Sequence, residues 1–441
     1  MEICSRSLEK NAIQRDHVSI EIVNEDSLVS SIKSKMDHLS LSHCISRVAE
    51  EISKGFEEKY YPSLVSIGPF HRDRDTLKVM EDCKWRYFNT LLSRKQNAEL
   101  FVDSCVRTLR HVEQKARKFY GEEINMGSDH FVEMMLLDGC FIIELFLENA
   151  FKNLRRRDDP FFIAYNNLFK LKCDLILFEN QLPFFVLEHL FHLVPIPKQC
   201  NFSLIELSLL FFKNLIPKEY PHFPPKNFAP QTHHLLDLIR QHYLPTSHET
   251  LSPSGEGQMH IHNATHLSTL GIKVGNALDH TPLNVSFYKG ELYIPPLKIH
   301  GYTETLFRNL IAMEICDPRC SKHVTSYAIL MDRLIRSKRD VRLLHKQEIL
   351  IGGHDKEGEI VMLFKKLYVD INLKEFYYRG LCEQVNVYPE SRKQGWGQSI
   401  RHIYHRTHLG AAGFSLAVLL LVLFFSGVLF SVISFLLHHF Q

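Results

Sequence analysis

The chain has 441 residues, 45% of them hydrophobic and 23% charged, which allows a large core and excludes a fibrous or wholly disordered protein. Fifty-two Lys and Arg against fifty Asp and Glu leave a formal net charge of +2, so no global field draws the chain to nucleic acid and no nucleic-acid partner is expected. Ten cysteines run from Cys4 to Cys382 without a CxxC pair, the usage of reduced cytosolic thiols rather than a disulfide framework.

Residues 1–40 are polar and Ser-rich, without periodicity or the apolar core of a signal peptide, and read as a mobile N-terminal segment. A helical body is expected over 41–395. Within it, Pro62, Gly68 and Pro69 make Tyr60 to Asp75 extended or looped. Phe101, Cys105, Leu109, Val112, Ala116 and Phe119 recur every three or four positions and predict a helix stopped at Gly121. Ser128 or Asp129 is placed to cap the next helix, which is apolar on most faces to Phe151. The stretch 168–194 predicts two helical pieces broken at Asn180 to Pro183, because Pro183 lacks an N–H and crowds the carbonyl of Glu179. Both pieces are expected to pack on the 128–150 helix.

From Pro217 onward the text turns Pro-rich, and a disordered loop is expected near 246–262, with one short helix, HHLLDLIRQHYL, in between. The β signal follows. GIKV is one strand, and Leu283, Val285 and Phe287 alternate with Asn284, Ser286 and Tyr288 ahead of a Lys289–Gly290 turn. Amphipathic helices then return through EIVMLFKKLYVDI. The fold class expected is mainly α: a large helical body, a small β-hairpin element and one C-terminal transmembrane helix.

That last expectation rests on Leu409 to Leu437, a run without a charged residue and longer than the roughly 20 apolar residues a span requires. Residues 396–408 form a basic juxtamembrane segment, with Trp396 and Tyr404 as interfacial anchors, and 438–441 a short tail. Arg392, Lys393, Arg401 and Arg406 lie on the N-terminal flank, so the positive-inside rule keeps the bulk of the chain cytoplasmic. The resulting picture is single-pass and tail-anchored at the plasma membrane or endoplasmic reticulum, with the lipid bilayer a partner through 409–437. In that orientation the sequons at Asn201, Asn263 and Asn284 stay unmodified.

The segments SIGPFHRD, MEDCKWRYFNTLL, MMLLDGCFIIELF, DLILFENQLPFFVLEHLF, HLLDLIRQHYLP, ATHLSTLGIKV and LYIPPLKIHGYTETLFRNLIAMEIC resemble, in that order, the plant domain-of-unknown-function 247 family. The resemblance covers roughly residues 45–437. It implies a single-pass plant protein with no established catalytic activity, and it supplies no catalytic residues. Some grass relatives look like pollen determinants of self-incompatibility, which implies recognition or signalling. Where relatives usually show an aromatic-rich stretch ending in Asn-Pro-Trp, this chain reads RHIYHRTHLGAAGFSLA, with Pro389 upstream.

Asp138, Glu144, Asp174, Glu179 and Glu188 all lie within strongly apolar stretches. Two in close approach would split their pKa values and permit acid–base work. The reading favoured here is that each binds backbone N–H groups or pairs with Lys or Arg, as buried charges must. Asn180 and Gln181 are expected to satisfy backbone groups freed by Pro183. Cys316, Cys320 and His323 have spacings for three metal ligands, but no second half is visible, and the histidines between His222 and His280 lack metal spacing. No metal or cofactor is expected. His71–Arg72–Asp73 shares letters with a kinase catalytic loop without the accompanying motifs. The basic run Arg333 to Lys346 reads as a solvated helix face in preference to a site for anionic lipid or an acidic partner. The function expected is a membrane-tethered recognition or signalling module, not an enzyme, that presents a cytosolic surface to an unknown protein partner. The alternatives are a membrane-associated enzyme using the buried carboxylates, or a cell-recognition determinant of the self-incompatibility type.

Overall fold

A computed structural model describes residues 44–216, 232–245, 260–278, 281–367, 375–389 and 408–439. The body opens with helices Lys78–Ser93 (α1), Ala98–Arg117 (α2) and Ser128–Ala150 (α3). α2 forms as its periodicity predicts: Asn97 accepts a hydrogen bond from the Leu100 N–H, and the stripe Phe101, Cys105, Leu109, Val112 and Ala116 is buried. The helix ends at Arg117, before Gly121. α3 is buried continuously from Met134 to Glu148, as its lack of a polar face requires. Its N-cap is Gly127, without a side-chain bond. Ser128 Oγ instead donates to Glu113 on α2.

α1, α2, Phe184–Phe191 and Leu204–Phe211 pack around α3, which is the axis of the core. Between α3 and these later helices runs Tyr165–Leu175 (α4). Only Leu171, Asp174 and Leu175 of α4 are buried, and it packs mainly on the one-turn helix Pro160–Ile163. The expectation that this first piece of 168–194 packs on the 128–150 helix is therefore corrected: its main neighbour is Pro160–Ile163, not α3. Phe184–Phe191 (α5) does lie against α3, with Pro183 in the N-cap position. Gly139 makes the approach possible, since a Cβ there would meet Leu190 Cδ1 at 2.3 Å. Leu204–Phe211 (α6) starts with a capping box between Ser203 and Glu206, and at Leu235–Gln241 (α7) the His234 ring accepts from the Asp237 N–H.

Ala264–Thr269 (α8) leads into the sheet. Strands Lys273–Asn276 (β1), Ser286–Tyr288 (β2) and Glu291–Ile294 (β3) take the order β1-β3-β2, with β1 parallel and β2 antiparallel to β3. Lys289 and Gly290 join the antiparallel pair with φ of 48° and 85°, the left-handed pair that a two-residue hairpin turn requires. Leu297–Lys298 (β4) follows, then helices Thr303–Cys316 (α9), His323–Leu334 (α10) and Lys338–Lys346 (α11). Leu350–Ile351 (β5) pairs in parallel with β4. Glu357–Lys366 (α12) and a helix over 379–389 complete the body. The protein is mainly helical with a few short strands, as its periodicities predict.

The expected C-terminal transmembrane helix is corrected. Residues His408–His439 form one helix (α13), but no helix among the described residues is long and apolar enough to cross a membrane. The segments 1–40 and 396–407, and most of the loop near 246–262, lie outside the described residues.

Candidate functional site

The most distinctive sequence blocks converge on one loop, residues 60–74, which crosses the protein interior without helix or strand to satisfy its backbone. Buried backbone groups need partners, and here side chains supply them. Asp174 accepts from the N–H groups of Ser63, Leu64 and Val65 at 2.7–2.9 Å. Asn180 accepts from Ile67 N and donates to Val65 O and Asp174 O. Asp138 accepts from Gly68 N at 2.8 Å. Lys84 Nζ, fully buried, bonds Ser66 O, Glu81 and Asp138, each at 2.6 Å. Gly68 has φ +73°, and a Cβ there would meet Gln181 O at 2.6 Å, so only glycine fits. Gln181 donates to the carbonyls of Leu175 and Leu177, and its own Oε1 accepts from Leu236 N. Asn180 and Gln181 thus serve backbone groups, as expected of them.

Two of the three remaining predicted carboxylates also have partners. Glu144 is paired with Arg94 across two oxygens. Glu179 accepts from Val48 N at 2.8 Å, and its other oxygen lies 2.9 Å from His71 Nε2, outside hydrogen-bonding alignment. Glu188 is exposed rather than buried. Burial pushes Asp174 up to about 6, against the pull of the hydrogen bonds from 63–65. No two of the five predicted carboxylates share a hydrogen bond or a cation. Arg72, from the HRD letters, joins the loop network through Glu81 at 3.0 Å.

Other buried carboxylates, Glu148, Asp159 and Glu314 among them, escape a reading based on motifs. Glu148 and Asp159 are each 1% exposed. Asp159 accepts from Tyr87 Oη at 2.6 Å, while Glu148 Oε2 has no partner. Burial, then Asp159 and Glu144, push Glu148 up to about 8. Glu314 caps α10, accepting from Val324 N and Thr325 N, and pairs with buried Arg240. The one available signal is a lone acid in an apolar helix, which gives no partner. Of the candidate metal residues, Cys316 Sγ lies against Arg47 O, and the His323 ring stacks on Tyr377 at 3.7 Å. Among the described residues no group of His, Cys, Asp and Glu is arranged to hold a metal ion.

The basic run at 333–346 and the histidines before the sheet, separate in sequence, meet at the surface. A cleft of about 740 Å³ is lined by His260, Ile261, His262, Asn263, His266, Arg333 and Arg336. Its geometry follows from local caps. Asn263 accepts from His266 N to start α8, and Ser337 with Asp340 forms a capping box at α11. Asp340 also accepts from Thr265 N and Oγ1, at 2.9 and 2.6 Å, and so ties the two helix starts together. Burial raises the Asp340 pKa, but the bonds from Thr265 and Ser337 outweigh it and hold the group low. Asn386 donates to His260 O at 2.7 Å. The imidazoles are crowded: His262 is 4.9 Å from His260 and 4.3 Å from His266 between ring centroids. Burial, then His266 and His260, hold His262 below its ordinary range. Arg336 reaches Asp332 at 3.1 Å, at the edge of the cleft. The lining carries imidazoles and guanidiniums and no carboxylate, which suits an anion.

Known plant proteins are similar to this chain over most of its length. The UPF0481 protein At3g47200 of Arabidopsis thaliana is 31% identical over 388 residues, 82% of this chain and 80% of its own length. The putative UPF0481 protein At3g02645 of the same plant is 21% identical over 460 residues, 83% of this chain and 86% of its own. No solved structure matches. Residues 45–423 match the family DUF247, described as a plant protein of unknown function, and they span both the loop network and the cleft. The chain belongs to the DUF247 family of plant proteins.

Proposed function

We propose that this protein is a recognition module without catalytic activity, which docks an acidic segment of a partner protein into the cleft between α8 and α10–α11. The observation that carries this reading is the lining itself: three imidazoles and two guanidiniums without an acid among them. Such a surface attracts negative charge and repels basic competitors, which gives specificity and a fast encounter. The carboxylates of the distinctive motifs support the same view from the other side. Asp138, Asp174 and Glu179 are bonded to the backbone that they hold in place. Glu148 and Asp159 are closed off from solvent, which leaves a substrate no approach to them. The nine described cysteines are free thiols, which suits a cytosolic setting.

The test is a fluorescence-anisotropy titration of a labelled polyglutamate peptide against the full chain, with polylysine as control. Binding of the acidic peptide alone, weakened by salt and by about tenfold in Arg333→Glu, is the expected result. Equal affinity of the variant and the parent overturns the reading.

A further inference from the structure

We infer that a second cavity, between the first turn of α9 and the β4–β5 pair, binds a small neutral molecule: one apolar ring with a short arm that carries a single hydroxyl group. The cavity holds about 230 Å³. That is about half as large again as the roughly 150 Å³ engineered cavity that takes benzene, and it falls below the roughly 300–1,000 Å³ of drug-sized pockets. One ring with an arm of about three non-hydrogen atoms matches the space.

The floor sets the ring. Leu215, Tyr243, Leu297, Leu306 and Phe307 line it, and all are buried. The phenols beside it are already engaged: Tyr243 Oη donates to Leu215 O at 2.6 Å and Tyr302 Oη donates to Asn214 O. These bonds also fix the wall formed by 214–216. A sugar or another polyol would find little there to bond. A charged ligand would find no counter-charge on the floor, because Lys298, the one lining residue with a full charge among those described, stands exposed at the rim. Burying a charge without a partner is costly.

Two groups at the α9 end set the hydroxyl. Thr303 lines the cavity and is only 4% exposed. Its Oγ1 accepts from His300 N at 2.9 Å, and its own proton has no acceptor among the described residues. A buried donor needs an acceptor, and a ligand oxygen supplies it. His300 lines the same end, with its ring centroid 5.0 Å from that of Tyr302. Its printed bonds are those of its backbone, so neither ring nitrogen bonds a described residue. Burial, then Lys298, hold the imidazole below its ordinary range, which leaves it one N–H and one acceptor nitrogen at neutral pH. A single hydroxyl accepts from Thr303 and donates to His300 at once. A carboxylate only accepts, and a hydrocarbon does neither.

This site shares no lining residue with the recognition cleft. The experiment is ligand-observed NMR and calorimetry on the full chain with 3-phenylpropan-1-ol, and with 3-phenylpropanoate as its charged match. The alcohol is expected to bind saturably with Kd on the order of a millimolar or tighter, and the acid about tenfold more weakly. Thr303→Val keeps the shape and removes the hydroxyl, and it is expected to weaken the alcohol about threefold to tenfold. His300→Phe, at an exposed position, keeps a ring beside Tyr302 and is expected to weaken the alcohol by a similar factor. If Thr303→Val does not fold, His300→Phe decides. Absence of saturable binding of the alcohol to the parent, an acid bound as tightly as the alcohol, or unchanged affinity in a folded Thr303→Val or in His300→Phe overturns the inference.

Discussion

Glu148 stays protonated where an ordinary glutamate has ionised, because burial pushes its carboxyl up to about 8 and Asp159 and Glu144 add to the shift. The unfolded chain releases that proton near the model-peptide value of 4.5. Between those values the folded state binds the extra proton, so the Glu148 contribution is fully present below pH 4.5 and is lost as pH rises through 8. Asp174, at about 6, acts in the same sense over a lower window. His234 acts in the opposite sense: burial holds it at about 4 against 6.5, and its contribution is lost as pH falls from 6.5 to 4. Glu148→Gln keeps a neutral group of the same shape. Chemical denaturation from pH 5 to 9 is expected to show a flatter stability profile for this variant than for the parent, and higher stability at pH 8. Parallel profiles would show that Glu148 is ionised in the folded protein.

At the scale of elements, the packing of α5 on α3 depends on Phe184, which is 1% exposed. Phe184→Ala is expected to cost about 3–5 kcal/mol in urea unfolding. Phe185 is half-buried between Phe119 and the Lys115 ammonium, and its truncation is expected to cost less than that of Phe184. An equal cost for the two would show that Phe185 is buried in solution as well. The 60–74 loop depends on polar groups instead. Asp138→Ala leaves Lys84 buried with one carboxylate fewer and Gly68 N unpaired, a loss of about 3–5 kcal/mol. Hydrogen exchange should show the amides of 63–68 opening in that variant while α2 stays protected.

These elements also show what the sequence makes legible. A stripe such as Phe101–Cys105–Leu109 needs only the helical period to be read, and the Lys289–Gly290 turn needs only its two residue types. The acceptors of the interior loop could be named as buried acids and amides. Their partners could not, because Val48 and Glu179 are 131 residues apart and Ser63 and Asp174 are 111 apart. Ser128 read as a cap because its type favours that role, and a tertiary bond to Glu113 took its hydroxyl elsewhere. α4 is expected on the 128–150 helix because it adjoins the apolar 176–184 stretch, yet it packs mainly on Pro160–Ile163.

At the scale of the whole molecule, the C-terminal run shows the limit of hydropathy. A charge-free stretch in the sequence predicts a span, but among the described residues no helix has both the length and the apolar character to cross a bilayer. The cleft shows the converse. Its histidines and arginines were each visible, yet as a loop feature and a helix face some 70 residues apart. Packing of α8 on α11 and the Asp340–Thr265 tie bring them together. Recognition at this cleft is the account's central claim, and an anisotropy titration of the labelled polyglutamate peptide against the parent and Arg333→Glu, at pH 7.5 and pH 5.5, tests it most directly. His262 is held below its ordinary range by burial and its histidine neighbours, so it gains charge only in acid. The parent is expected to bind more tightly at pH 5.5, with Arg333→Glu about tenfold weaker than the parent at both values. Affinity that ignores both the substitution and the pH would contradict the account.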